Sequence, residues 1–261
     1  MVKLKTENEK IENEKIEVEM SETMRMWVEV GFNIIYLVVI WGLVITMTVQ
    51  RDQVAPADRK VASLVRWAFF LLALGDTGHV GFRIWAYAAG GLASTVTIWG
   101  QPVGLVGLGA LATAITVTFF YVLMLAVWHE RYQKPYGWFG ALLFGAAALR
   151  LLLMLPAQNE WNNVVPPQPW SLLRNLPLMV QGLGVAYLLI RDARPRHDRP
   201  FVWIGAMILV SYACYLPVIL FVQQAPLVGM LMIPKTLAYM AIAFIAYAAL
   251  YHPQPRLVAA T

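Results

Sequence analysis

From Trp27 to Leu250 the chain alternates between long apolar runs and short polar breaks. The runs fall at about 27–49, 62–88, 103–128, 136–155, 171–190, 201–222 and 226–250, each roughly twenty residues or more. A helix of that length rises ~1.5 Å per residue and crosses a hydrocarbon core about 30 Å thick. The pattern predicts an all-α polytopic membrane protein, a seven-transmembrane-helix bundle over residues 27–250 with a short cytoplasmic tail at 251–261. Residues 1–26 are a different material. The pentapeptide ENEKI occurs twice in tandem, Glu7–Ile11 and Glu12–Ile16, in a stretch dense in Glu and Lys. Ile11 and Ile16 are spaced for neither a heptad nor an amphipathic stripe, which predicts a charged, solvated tail, either native or an addition to the natural chain. The tail lacks the basic segment and cleavage site of a signal peptide.

The breaks alternate in charge. RDQVAPADRK (Arg51 to Lys60), HERYQKP (His129 to Pro135) and RDARPRHDRP (Arg191 to Pro200) are basic and carry proline. AGGLASTVTIWGQP (Ala89 to Pro102), PAQNEWNNVVPPQPW (Pro156 to Trp170) and QQAP (Gln223 to Pro226) contain no Lys or Arg. Basic short loops stay on the cytoplasmic side, so the expected topology has the N-terminus outside and the C-terminus cytoplasmic. Trp27, Trp85, Trp99, Trp161 and Trp170 then fall near the outer boundary, as an interfacial aromatic belt does.

Composition agrees: 59% of residues are hydrophobic and only 13% charged, about half the charged share of a soluble domain. The net charge of +5 resides mainly in the inter-helix breaks, so it reads as topology and not as nucleic-acid binding. A single cysteine, Cys214, excludes an intrachain disulfide and a thiolate metal cluster. The expected setting is a bacterial plasma (inner) membrane, with the lipid bilayer as one partner; oligomeric state is left open.

Against that apolar background a few ionisable residues stand out. Asp76, His79 and Arg83 are spaced i, i+3, i+7 and share one face of the second span. Counted back from Ala88 they lie about 18, 14 and 8 Å below the outer end. Lys235 in the last span lies about 14 Å deep, level with His79, and Pro234 before it is expected to free a backbone carbonyl one turn earlier. Arg150, Arg174 and Asn175 fall within about two turns of the outer surface, with Gln181, Tyr212, Tyr215, Thr113 and Thr116 at intermediate depth. The cytoplasmic half of the spans is almost purely apolar. A charge at mid-membrane costs a few kcal/mol even on mild scales, so such residues face the bundle interior and find partners. Each also has a plain alternative: Arg150 and Arg174 snorkelling to the interface, Asp76 with Lys235 as a structural ion pair, His79 as a satisfied core histidine.

No HExxH, GxSxG, phosphate loop beside a strand or paired-carboxylate site occurs. The closely spaced glycines of GLVGLGAL (Gly104 to Leu111) lie in a span, where small residues serve helix packing. The reading that follows is an outward-facing intramembrane polar pocket for an anionic or amphiphilic small molecule or lipid. Arg83, Arg150, Arg174 and Lys235 supply its charge, since guanidinium forks bind carboxylate or phosphate bidentately. Asp76 and His79, as orienter and general base, would extend it to an intramembrane enzyme. No cofactor is expected. Alternatives are a receptor, a small-molecule transporter using mobile Pro-bearing helices, and a photoreceptor. The layout of seven spans with a helix-7 lysine resembles rhodopsins, which implies retinal on Lys235, Asp76 as counter-ion, and Trp203, Tyr212 and Tyr215 along the polyene. Microbial rhodopsins place an acidic counter-ion on helix 3, whereas the third span here has no Asp or Glu between Gln101 and Trp128. The blocks GDTGH to Arg83, PAQNEW, RNLP (Arg174 to Pro177) and PLVGMLMIPKT (Pro226 to Thr236) resemble those of uncharacterised bacterial seven-helix membrane proteins, a resemblance that implies no activity.

Overall fold

The computed structural model describes residues 27, 28 and 30–252; the tandem ENEKI tail lies outside the described residues. The described chain forms seven α-helices: α1 (Val30–Val49), α2 (Arg59–Ala88), α3 (Leu105–Tyr132), α4 (Gly137–Leu153), α5 (Trp170–Ala193), α6 (Arg199–Phe221) and α7 (Met232–Leu250). Six of them are long and apolar enough to cross a membrane; α4, equally apolar, has 17 residues and is about 26 Å long. In hydrocarbon every backbone N–H must find its acceptor within the segment, which leaves apolar runs of this length no choice but helix. The outer surfaces are greasy along their length. Leu173, Leu176, Val180, Leu183 and Tyr187 form one exposed stripe on α5, and Leu142, Leu149 and Leu152 another on α4. Water tolerates no apolar surface of that extent on a monomer, whereas lipid does. The chain is an integral membrane protein.

The elements begin and end within about four residues of the expected limits, with one departure. Pro226–Leu231 is a 3-10 segment and α7 starts only at Met232. Pro234 therefore sits in the first turn of α7, which runs on directly from the 3-10 segment. The break after α2 also holds more order than a loop. Strands β1 (Thr95–Ile98) and β2 (Gln101–Gly104) pair antiparallel. The two residues between them, Trp99 and Gly100, have φ of 48° and 77°, as a two-residue type I′ connection requires. Trp99 sits at that tip, 99% exposed.

The two ends of the bundle are built differently. At one end the hairpin packs on the α4–α5 connection: Gly104 N–H donates to Asn162 Oδ1 (3.0 Å) and Asn162 Nδ2 to Pro102 O (3.3 Å). At the other, Arg131 at the end of α3 donates to Asp58 before α2 (2.5 Å) and to Asp198 before α6 (2.9 Å). Asp192, expected in a loop, is instead buried in the last turn of α5. Its carboxylate accepts from Trp128 Nε1 (2.8 Å), Lys134 Nζ (2.7 Å) and Arg191 Nη2 (2.6 Å). The basic end of the helices is thus a polar network and not purely apolar. Just past α7, Tyr251 donates to Ala62 O on α2 (2.9 Å), and burial pushes its hydroxyl up to about 12.

Helices α2 and α3 approach most closely through small residues, as the glycine pattern implies. A Cβ at Gly109 would meet His79 Cα at 2.9 Å, and one at Gly78 would meet Ala112 Cβ at 3.1 Å. A Cβ at Gly75 would run into the Thr116 side chain. This contact fixes which face of α2 turns inward. Gly109→Ala must push backbone away from backbone, so it is expected to cost about 1–3 kcal/mol of stability, the usual range for overpacking. Gly81, on the same helix, has nothing within 4 Å of its Cβ position; Gly81→Ala is expected to be neutral or to stabilise by up to ~1 kcal/mol. Thermal unfolding of both variants in one detergent distinguishes them, and equal Tm values would show that the α2–α3 contact is slack.

Candidate functional site

The close α2–α3 packing turns Asp76 and His79 toward the interior. The Asp76 carboxylate accepts a hydrogen bond from Tyr36 Oη of α1 (2.8 Å). Beside it, Thr113 of α3 donates to Gly75 O (3.0 Å) with its hydroxyl also set against Asp76, and Thr116 donates to Ala112 O (3.0 Å). His79 does not pair with Asp76; its Nδ1 is buried with no hydrogen-bond partner among the described residues. The two residues share a face, as expected, without forming the orienter–base pair. Arg83, one turn further along α2, lies within electrostatic range of His79.

Lys235 enters from α7. Among the described residues it forms no ion pair, although Asp76 is within electrostatic range. Its ammonium sits 4.3 Å over the Tyr215 ring and 5.9 Å over that of Tyr239. The face of an aromatic ring stabilises a cation by up to ~2 kcal/mol when water is excluded, but it cancels no charge. Tyrosines then tie the helices together. Tyr121 and Tyr239 share a hydroxyl hydrogen bond of 2.7 Å. Tyr212 donates to Leu178 O (2.8 Å), its ring occupying the space a Cβ at Gly182 would take. Tyr215 donates to Asn175 Oδ1 (3.2 Å), and Asn175 Nδ2 donates to Ser171 O (2.8 Å). Gln181 is fully buried, donates to Thr118 O (3.3 Å), and leaves its Oε1 without a partner among the described residues. Trp203 is elsewhere: it is 57% exposed on the outer surface of α6, away from Tyr212 and Tyr215.

The two outer arginines do not snorkel. Arg150 on α4 is 3% exposed, and its Nε and Nη1 have no hydrogen-bond partner among the described residues. It lies within electrostatic range of Tyr212, Tyr215 and Lys235. Arg174 on α5 is buried under the α4–α5 connection. Its guanidinium stacks 4.1 Å from the Trp161 ring and its Nη1 donates to Asn159 Oδ1 (3.2 Å). Asn159, fully buried, caps the end of α4 by donating to Leu153 O (2.7 Å) and Pro156 O (3.0 Å), while Trp161 Nε1 donates to Met154 O (3.1 Å). Arg150 and Arg174 are within electrostatic range of each other.

Electrostatic range alone thus links Asp76 to Lys235, Lys235 to Arg150 and Arg150 to Arg174 in a chain. Sequence reasoning missed Tyr36, Tyr121, Tyr239 and Asn159, which adjoin it. Tyr239 follows Lys235 by four positions and so shares its face, a signal available in the chain; Tyr36 and Asn159 carry no such local mark. Comparison with family models, with curated proteins and with solved structures finds no match to this chain.

Asn159→Ala removes the cap of α4 and the amide that holds Arg174. The expected result is a loss of about 1–3 kcal/mol, in line with stranding buried polar groups, together with faster amide exchange confined to residues 154–170. Uniform acceleration across all helices would contradict a local role.

Proposed function

We propose that this protein is a seven-span membrane protein, N-terminus outside, whose interior pocket binds an anionic or amphiphilic small molecule or lipid at the non-basic side of a bacterial plasma membrane. The observation that carries the reading is the Arg150 guanidinium: 3% exposed, with Nε and Nη1 unpartnered among the described residues, and set beside two further cations. A buried charge without a counter-charge costs several kcal/mol. A protein that retains one has a use for it, and the simplest use is an anion brought by a ligand. Arg supplies the planar fork that suits carboxylate and phosphate oxygens, and the tyrosine faces around it suit the apolar part of an amphiphile. The orientation rests on the odd-numbered breaks, which hold the basic residues and meet at the Arg131 cluster, while the even-numbered breaks meet at the hairpin end.

Arg150→Met keeps the volume and removes the charge. If Arg150 is a ligand-binding group and not a structural one, the ligand-free variant unfolds at the same or a higher temperature than the parent, while the anionic companion seen by native mass spectrometry of gently purified protein is lost. Arg196→Gln, in the basic connection before α6, serves as the control and retains it. Retention of the companion by Arg150→Met, or a sharp fall in Tm, would sink the reading. Topology is checked in a Cys214→Ala background. Ala93→Cys in the hairpin segment is expected to react with an impermeant maleimide on intact cells, and Gln133→Cys only after lysis. The reverse pattern would invert the proposed orientation.

A further inference from the structure

We infer that the basic end of the bundle carries a lipid site of its own, where Lys134 and Arg191 hold the phosphodiester headgroup of an anionic phospholipid beside α4 and α5. The site is separate from the interior pocket and does not rest on it. Asp192, buried in the last turn of α5, builds it. Its Oδ1 accepts from Lys134 Nζ (2.7 Å) and Arg191 Nε (3.0 Å), and its Oδ2 from Arg191 Nη2 (2.6 Å) and Trp128 Nε1 (2.8 Å). Two cations bonded to one oxygen are no farther apart than those two bonds laid end to end. Both still keep an open face: the Lys134 side chain is 44% exposed and that of Arg191 41%. A lysine or arginine that merely snorkels to the interface needs no carboxylate to place it. Here a carboxylate gives up its hydration to fix the spacing of two exposed cations.

Charge selects the headgroup. One carboxylate shared by two cations leaves one positive charge over, and among the described residues no second carboxylate bonds to either of them. At the same end Glu130 is held by Lys60 (2.6 Å), and Asp58 and Asp198 by Arg131. A phosphodiester brings one negative charge on two unesterified oxygens, so the ammonium and the guanidinium can each make a charge-assisted bond to it. A zwitterionic headgroup adds an ammonium to a site that is already cationic.

An unbroken run of ring contacts leads from these cations to lipid-facing surface. The Arg191 guanidinium lies 5.5 Å from the Tyr187 ring, Tyr187 packs edge-on against Phe139 (5.9 Å), and Phe139 against Trp138 (5.5 Å). Trp138 and Tyr187 are exposed, and Leu142 and Leu183 are exposed further along the same two helices. Amphipathic rings at the end of an apolar stripe mark the headgroup level of a bilayer. Basic sites between transmembrane helices at that level recognise anionic headgroups.

The test places the full chain in phosphatidylcholine nanodiscs containing a phosphatidylglycerol with a photoactivatable diazirine high on one acyl chain. After irradiation the adducts are mapped by peptide mass spectrometry. They are expected to concentrate on 138–142 and 183–187, and to be displaced by excess unlabelled phosphatidylglycerol but not by phosphatidylcholine. Lys134→Gln leaves Asp192 bonded to Arg191 and Trp128, and is expected to lower this labelling about fivefold, the effect of one interfacial cation. Lys134→Arg, which keeps the charge, restores most of it. Arg51→Gln removes an exposed cation whose partner Asp52 is itself exposed, and leaves the labelling unchanged. Should Lys134→Gln unfold, Arg191→Lys carries the same test, since it keeps a cation on Asp192 and loses the fork; a measurable fall in labelling is expected. Labelling unaltered in the variant that folds, or equal with a phosphatidylcholine probe, overturns the site. An equal fall in Arg51→Gln also overturns it and leaves only the diffuse positive field of the basic end. Adducts near Arg150 or Lys235 report the interior pocket and are scored apart, so either site can fail without the other.

Discussion

Hydrocarbon offers no hydrogen bond and almost no screening, and everything in this molecule follows from where it places polar groups under that constraint. Most buried donors and acceptors are satisfied within a few ångströms: Asn159 by two carbonyls, Tyr121 by Tyr239, Asp76 by Tyr36. The same economy holds at the basic end, where Asp192 is met by three donors and Arg131 by two carboxylates. Among the described residues Arg150 departs from the rule at Nε and Nη1, as do His79 at Nδ1 and Gln181 at Oε1, while the Lys235 ammonium faces the rings of Tyr215 and Tyr239. These departures lie in the same interior that the sequence outliers mark, which makes them informative.

The packing of α2 on α3 decides what the interior can contain. Gly75, Gly78 and Gly109 let the helices approach until side chain meets backbone, which fixes the rotation of α2. With that rotation set, Asp76 and His79 cannot turn to lipid. The glycines of the GDTGH block and the charges between them are therefore one feature: the small residues give the direction, and the ionisable ones use it.

Much of this was legible in the chain, for identifiable reasons. Runs of twenty apolar residues have one outcome in a bilayer, so the helices and their approximate limits followed from length alone. Asp76, His79, Arg150, Arg174 and Lys235 stood out because a charge in an apolar run is costly enough to need a cause. What could not be read was pairing between distant segments. Tyr36 lies 40 positions from Asp76 and Trp128 lies 64 from Asp192. A tyrosine or tryptophan in a membrane span is too ordinary to announce such a bond. Asp192 was misplaced because a loop and a helix's last turn look alike beside Arg191. The 3-10 stretch before α7 and the hairpin after α2 were hidden for the same reason, since short-range geometry in Gly- and Pro-rich breaks is set by what they pack against.

Arg131 has a mechanical meaning as well as a structural one. A single guanidinium joins the approaches to α2 and α6 to the end of α3, so three helices are pinned together at their basic ends. At the opposite end the hairpin meets the α4–α5 connection through hydrogen bonds with the Asn162 side chain, with no ion pair between them among the described residues. Loss of the Arg131 side chain would therefore loosen three helices at once, about 40 Å along α3 from the hairpin.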